Sequence, residues 1–166
     1  ALAAQLRTAQ ERLDARARKP SEGRPHVHLT YTIAERASGA PTPRELVIKP
    51  ETKTTLREQL GRVLSYYNVA TEGGFIVAAA DLLGSTSINK ANDKFPGGFY
   101  NRRTNPGARE LAIGGICEDA MMAMLSGISA FGAHIGAGSS YGALSAPLGH
   151  IARRLHAIGT QARVTT

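Results

Sequence analysis

Three short stretches of this 166-residue sequence hold side chains whose types and spacing could do chemistry. AADLLGST places Asp81, Gly84 and Ser85 at the end of an apolar run, and NPGARELAIGGI places Glu110 after a long polar loop. FGAHIGAGSSYGAL places Tyr141 and Leu144 after a run of glycines and small apolar residues. A carboxyl group such as Glu110 can hold or share a proton near neutral pH if burial penalises its anion. The plainer role for Glu110 is a surface carboxylate that stabilises a helix start, helped by Arg109 beside it. Asp81 and Ser85, just beyond a strand, sit where open α/β sheets gather their ligands, although the same residues also build helix caps and turns. Tyr141 offers a planar, mostly apolar face that suits a flat heterocycle or ordinary helix packing.

The elements that must position these groups are read from periodicity. Leu2, Leu6, Ala9 and Leu13 recur at three- and four-residue spacings, so the first 18 residues are expected as an amphipathic helix ending by Pro20. Residues 20 to 51 mix turn formers with two extended runs, HVHLTYTI and ELVIKP, and read as a linker or peripheral hairpin. Thr52 or Thr54 is the expected cap of a helix running to about Tyr67, with Leu56, Leu60, Val63 and Leu64 as its apolar stripe; Gly73 and Gly74 then mark a break. FIVAAADL, residues 75 to 82, has the pattern of a parallel strand covered on both faces, with Asp81 at its carboxyl end. Residues 88 to 107 form a polar loop with no helical or strand period.

Glu110 is expected to open a helix reaching Phe131. Its Gly114, Gly115, Ala120, Ala123, Ser126, Gly127 and Ala130 would let another backbone approach closely, as at a dimer interface. Each helical Gly costs about 1 kcal/mol relative to Ala, which tight packing must offset. AHIGAG from Ala133 reads as a second parallel strand, followed by a helix from about Ser140 to Ile158. His150, Arg153, Arg154 and His156 fall in its later turns, where cations suit the helix dipole. The closing RVTT has the pattern of a further strand.

The remaining features bound the function. A net charge of +7 suits nucleic acid, an anionic membrane or phosphorylated small molecules, and composition does not choose among them. Arg7, Arg12, Arg16, Arg18 and Lys19 are interspersed with Glu11 and Asp14, as on a solvated helix face, and no recognised nucleic-acid module follows them. His26 and His28 share one expected strand face, but no third ligand is in view for a metal. Cys117 is the single cysteine, which excludes an intrachain disulfide and a cysteine zinc cluster and makes a reducing, cytoplasmic setting the expectation. With no apolar leader core and no run of about 18 apolar residues, neither secretion nor a membrane span is expected.

In their order along the chain, the three stretches resemble the pyrimidine-binding domain of the transketolase family. AADLLGST looks like the family's strand and substrate loop, NPGARELAIGGI like its catalytic glutamate segment, and FGAHIGAGSSYGAL like its cofactor-stacking segment. The likeness runs from about residue 46 to 159 and divides the chain into an N-terminal helix and linker, residues 1–45, and a domain, residues 46–166. It implies an α/β fold: a three-layer, parallel-sheet domain, C-terminally incomplete. It also implies thiamine-diphosphate-dependent transfer of a two-carbon ketol unit between sugar phosphates. By this resemblance Glu110 hydrogen-bonds the aminopyrimidine ring nitrogen of the cofactor and favours the imino tautomer that removes the thiazolium proton. Tyr141 stands where the family places an aromatic ring against the pyrimidine. Leu144 and Pro147 replace two further aromatic residues, a departure that changes the pocket. Asp81 resembles an aspartate near the thiazolium ring, and Ser85 resembles a residue that hydrogen-bonds the substrate phosphate. Lys53 stands where the family has a phosphate-binding arginine; it can neutralise phosphate but cannot form the bidentate fork.

The GDG motif with its following metal-binding Asn, by which the family holds magnesium and the diphosphate, is absent from the sequence. The resemblance therefore implies that Mg2+ or Ca2+ and the diphosphate fall to a partner domain or subunit in a homo- or hetero-oligomer, and that this chain alone is inactive. No nucleic-acid or membrane partner is expected. Deoxyxylulose-phosphate synthase and the beta subunits of 2-oxo acid dehydrogenases share the domain type, and a noncatalytic partner domain of the same fold is a further reading. A dinucleotide-binding module is the reading from a different class, since Gly136, Gly138 and Gly142 follow an expected strand. Their spacing is one residue longer than the usual fingerprint, and no acidic ribose ligand follows about 20 residues on.

Overall fold

The computed structural model describes residues 2–18, 28–29, 41–146, 149–154 and 157. His26, Pro147, His156, the RVTT segment and HVHLTYTI apart from His28 and Leu29 lie outside them. The first element is the expected helix α1, Leu2–Arg18, with Leu6 exposed. ELVIKP is not a strand: Arg44–Leu46 is a single turn of 3-10 helix, and Val47 and Ile48 are exposed. The Leu46 amide donates to Pro43 O at 2.9 Å, and Arg62 Nη2 donates to Glu45 O at 2.6 Å, so local bonds satisfy a backbone that finds no strand partner among the described residues.

Helix α2 spans Leu56–Ala70 and is capped by Thr55, whose Oγ1 accepts from the Glu58 amide at 3.3 Å. Thr52 and Thr54 do not cap it; Thr54 Oγ1 instead donates to the Glu58 carboxylate at 3.1 Å. The expected stripe is also turned. Leu56 is 91% exposed and Leu60 48%, while Gly61 and Asn68 are buried and Leu64 packs on the core. Gly61 explains the rotation: a Cβ there would lie 2.7 Å from Ser87 O, so the helix lets a following 3-10 helix, Ile88–Asn92, rest against its backbone. That short helix carries buried Ile88 and Ala91 and was not visible as a period in the polar loop.

Strand β1 is Phe75–Ala78, buried throughout, and strand β2 is Ile135–Gly138. They pair in parallel, with Val77 opposite Ala137. β1 is half as long as the run FIVAAADL, because its partner ends at Gly138 and only the Ser139 amide, donating to Ala78 O at 3.3 Å, prolongs the ladder. Alternation sends successive β1 side chains to opposite faces. Val77 and Ala79 pack with Ile88, Ala91, Leu64 and Leu83, whereas Ala78 packs with Met121 and Leu125 of helix α3, Glu118–Phe131. Helix and strand thus mix around a small parallel pair, as in α/β proteins.

The helix expected to open at Glu110 begins eight residues later. Residues 109–111 are extended against β1: the Val77 amide donates to Arg109 O and the Leu111 amide to Val77 O, both at 2.8 Å. Gly114 at φ 85° and extended Cys117 separate that segment from α3. The close approach expected of small residues on the helix is provided from the strand side. A Cβ on Gly136 would fall 2.3 Å from Leu125 O, so β2 carries the glycine that brings α3 down. Ala120, Ala123, Gly127 and Ala130 are exposed. The C-terminal helix also starts later than Ser140: Gly142–Leu144 is a 3-10 turn, and helix is described at 149–154. No helix among the described residues is long and apolar enough to cross a membrane.

Candidate functional site

Glu110 sits inside the extended layer, where its carbonyl accepts from the Tyr100 amide at 2.7 Å and its backbone bridges to Val77. As register partner of Val77 it shares the face on which Ile88 and Ala91 lie. Half-burial pushes its carboxyl above the ordinary value. Beside it, the Arg109 amide donates to Asn92 Oδ1 at 2.7 Å, and the guanidinium lies 5.2 Å from the Phe95 ring centre. Arg109 Nε is buried without a partner, while Nη1 donates to Gly107 O and Ala108 O. Gly73, at φ 91°, makes room for that guanidinium. Burial, with a contribution from Arg109, holds the His134 pKa below its ordinary value.

The carboxylate that opens the helix is Glu118, which the sequence reading missed. Its Oε1 accepts from Ser140 Oγ at 3.1 Å, joining the first turn of α3 to the chain just past β2. Acidic Glu118 and Asp119 complement the positive end of the helix dipole. Asp119 Oδ1 also lies 3.7 Å from His150 Nε2, so two neighbouring acids meet the segment that follows β2. Glu118, Ser140, Leu144, Ser145, Gly138, Met121 and Met122 line a cleft of about 40 Å³. The signal available in the sequence was CED after paired glycines: a helix break, then two acids suited to a first turn.

Leu144, a candidate from the sequence, shares this cleft with the Glu118 carboxylate. Tyr141 is 48% exposed and precedes the 3-10 turn, where its carbonyl accepts from the Leu144 amide at 2.8 Å. Asp81 is exposed in a bend three residues past β1, and Ser85 is exposed in the following turns. Lys53 is exposed ahead of α2. None of Glu110, Asp81, Ser85 and Lys53 lines the Glu118 cleft. A wider, open cleft of about 730 Å³ has His150, Ala152, Arg153, Arg154 and Ala157 among its lining residues.

An aminopyrimidine needs a carboxyl group for its ring nitrogen and an apolar wall for its face. Glu118 with Met121, Met122 and Leu144 has that composition, but the cleft is small against the roughly 300–1,000 Å³ of ordinary ligand pockets. At that volume the cleft does not enclose such a ring. Among the described residues no group of three or more His, Cys, Asp or Glu side chains is placed to hold a metal ion. Compared with family models, curated proteins and solved structures, the chain matches none.

Proposed function

We propose that the chain supplies the aminopyrimidine-binding wall of a thiamine-diphosphate site of the transketolase type, within a three-layer α/β domain that a diphosphate-binding partner completes. The observation that carries this reading is Glu118 at the start of α3, held by Ser140 and lining a cleft with Leu144. The family's pattern has an acidic residue opening a small-residue helix, the place Glu118 takes in the structure, while the family's glutamate segment itself carries Glu110. When bound, the cofactor would supply the carbanion chemistry of ketol transfer between sugar phosphates. Glu118 would hydrogen-bond the ring nitrogen, and Met121, Met122 and Leu144 would keep water from the ring face. Tyr141, at the rim, would add an aromatic face once a partner covers it. Mg2+ or Ca2+ and the diphosphate belong to the partner in this reading. Asp81, Ser85 and Lys53 remain candidates for the thiazolium and sugar-phosphate ends.

Glu110 keeps a second claim to the same role, because burial favours its protonated form. The two are separated by assaying ketol transfer from xylulose phosphate to ribose phosphate with the matching diphosphate-binding chain added. Glu118→Gln is expected to reduce turnover at least about 100-fold, within the range assigned to a positioned acid–base group, and Glu110→Gln less than about threefold. The reverse pattern returns the role to Glu110. Full turnover in both variants removes the thiamine reading.

A further inference from the structure

From Lys94 to Arg109 the chain carries four cations and no acidic side chain. This stretch is irregular, yet it is tied down along its length. At its base Asn92 Nδ2 donates to Pro96 O at 3.1 Å, and a Cβ on Gly107 would fall 2.8 Å from Pro96 Cγ. Midway, Asn105 Nδ2 donates to Gly97 O at 2.9 Å and Phe99 O at 3.1 Å, and the Tyr100 amide donates to Glu110 O at 2.7 Å. At its tip Asn101 and Asn105 exchange backbone bonds of 3.1 and 2.9 Å, and Asn101 Oδ1 accepts from the Arg103 and Thr104 amides. Phe99 is 47% exposed and Tyr100 41%; Lys94, Arg102 and Arg103 are exposed and in no ion pair among the described residues.

A net charge of +7 left nucleic acid, an anionic membrane and phosphorylated small molecules as equal partners, and this loop separates them. Adjacent aromatic rings left in water gain by stacking on flat bases, whose faces are free only in unpaired strands. Guanidinium and ammonium groups a few residues away neutralise the phosphates that link those bases. A membrane surface calls for an apolar tip, whereas Asn101, Arg102, Arg103 and Thr104 form this one. A small phosphorylated ligand calls for a concave pocket, whereas these side chains stand exposed. We propose that the loop from Lys94 to Thr104 binds single-stranded nucleic acid, with Phe99 and Tyr100 stacked on bases and Lys94, Arg102 and Arg103 paired with phosphates. Because the loop is fixed before binding, little ordering opposes association. Nucleic acid is not among the partners the resemblance implies, so this activity stands or falls apart from the thiamine-type reading.

The test is fluorescence anisotropy of a labelled oligothymidylate titrated with the full chain. Between about 50 and 200 mM salt the affinity should fall about 18-fold, as three phosphate contacts on a single strand require. Arg102→Gln with Arg103→Gln leaves one such contact and should shrink that fall to about threefold. Arg7→Gln with Arg12→Gln, which removes the same charge from α1, should keep the wild-type salt dependence. At fixed salt Phe99→Ser should weaken binding about fivefold, the low end for one stacked base, and Phe99→Tyr should stay near wild type. The proposal is overturned by an oligothymidylate that does not bind in low salt, by equal affinity for the matching duplex, or by wild-type affinity in Phe99→Ser. It is overturned too if the α1 variant loses as much salt dependence as the loop variant, or if inorganic phosphate at equal phosphate concentration displaces the strand, which would mark a site for free phosphate.

Discussion

Asn68 is fully buried, and its amide group is spent on backbone: Nδ2 donates to Phe75 O at 3.2 Å and Ala91 O at 2.7 Å, and Oδ1 accepts from the Phe75 amide at 2.8 Å. One side chain thus ties α2 to the start of β1 and to the 3-10 helix. Asn68→Leu would strand three buried backbone groups at about 1–3 kcal/mol each before relaxation, so a loss of about 3 kcal/mol or more in urea unfolding is expected. A loss below 1 kcal/mol would mean that water reaches these groups. Titratable residues act more gently. Burial raises the folded Glu110 pKa, so its contribution is most favourable below its ordinary value of 4.5 and is lost as pH rises through the raised folded value. His134 is lowered by burial and then by Arg109, so stability falls as pH drops from its ordinary value of 6.5 through the lowered folded one. Unfolding midpoints measured against pH should therefore lose their decline above pH 4.5 in Glu110→Gln and their decline below pH 6.5 in His134→Gln. Unchanged slopes in both variants would place these groups in bulk water.

The two strands, their parallel order and the helix between them were legible because short apolar runs bounded by glycine have few other solutions. The start of α3 was not. From Glu110 onward the residues favour helix by local propensity, yet the open side of β1 offers the 109–111 backbone a ladder, and Gly114 in the left-handed region then turns the chain. Tertiary pairing overrode propensity, and the helix start moved from Glu110 to Glu118. The face of α2 was misread for a related reason: a leucine stripe signals burial on average, whereas Gly61 and Asn68 mark the side that neighbours in space press against. The approach of α3 to β2 can be measured directly. Gly136→Ala forces a methyl group towards Leu125 O and should cost about 1–3 kcal/mol, as overpacking of a close contact does. Gly142→Ala meets open space and should change stability by less than about 0.5 kcal/mol. Equal effects at the two positions would show that α3 stands off the strand.

At the scale of the whole molecule, apolar side chains remain uncovered on the side that bears the candidate site. Ile116, 72% exposed, immediately precedes the first turn of α3; Leu144, 42% exposed, lines the cleft; Tyr141 stands beside it. Met124 and Phe131, on another face of the helix, are also exposed. Burying such groups is worth about 25 cal/mol per Å² of apolar surface, so a partner seated on them would stabilise the fold as well as enclose the ligand. Linkage then fixes what thermal unfolding must show. Thiamine diphosphate with Mg2+ should leave the melting temperature of the isolated chain almost unchanged, because a single open wall gives it little to bind. In the presence of the matching diphosphate-binding chain, the same addition should raise it, by the equivalent of about 2.7 kcal/mol at a hundredfold excess over Kd. Glu118→Gln should reduce that increment while leaving the partner's own stabilising effect intact if the carboxyl group recognises the ring and not the partner. A cofactor-dependent rise in the isolated chain would mean that the cleft is complete by itself, and no rise in the assembled pair would mean that it recognises some other ligand.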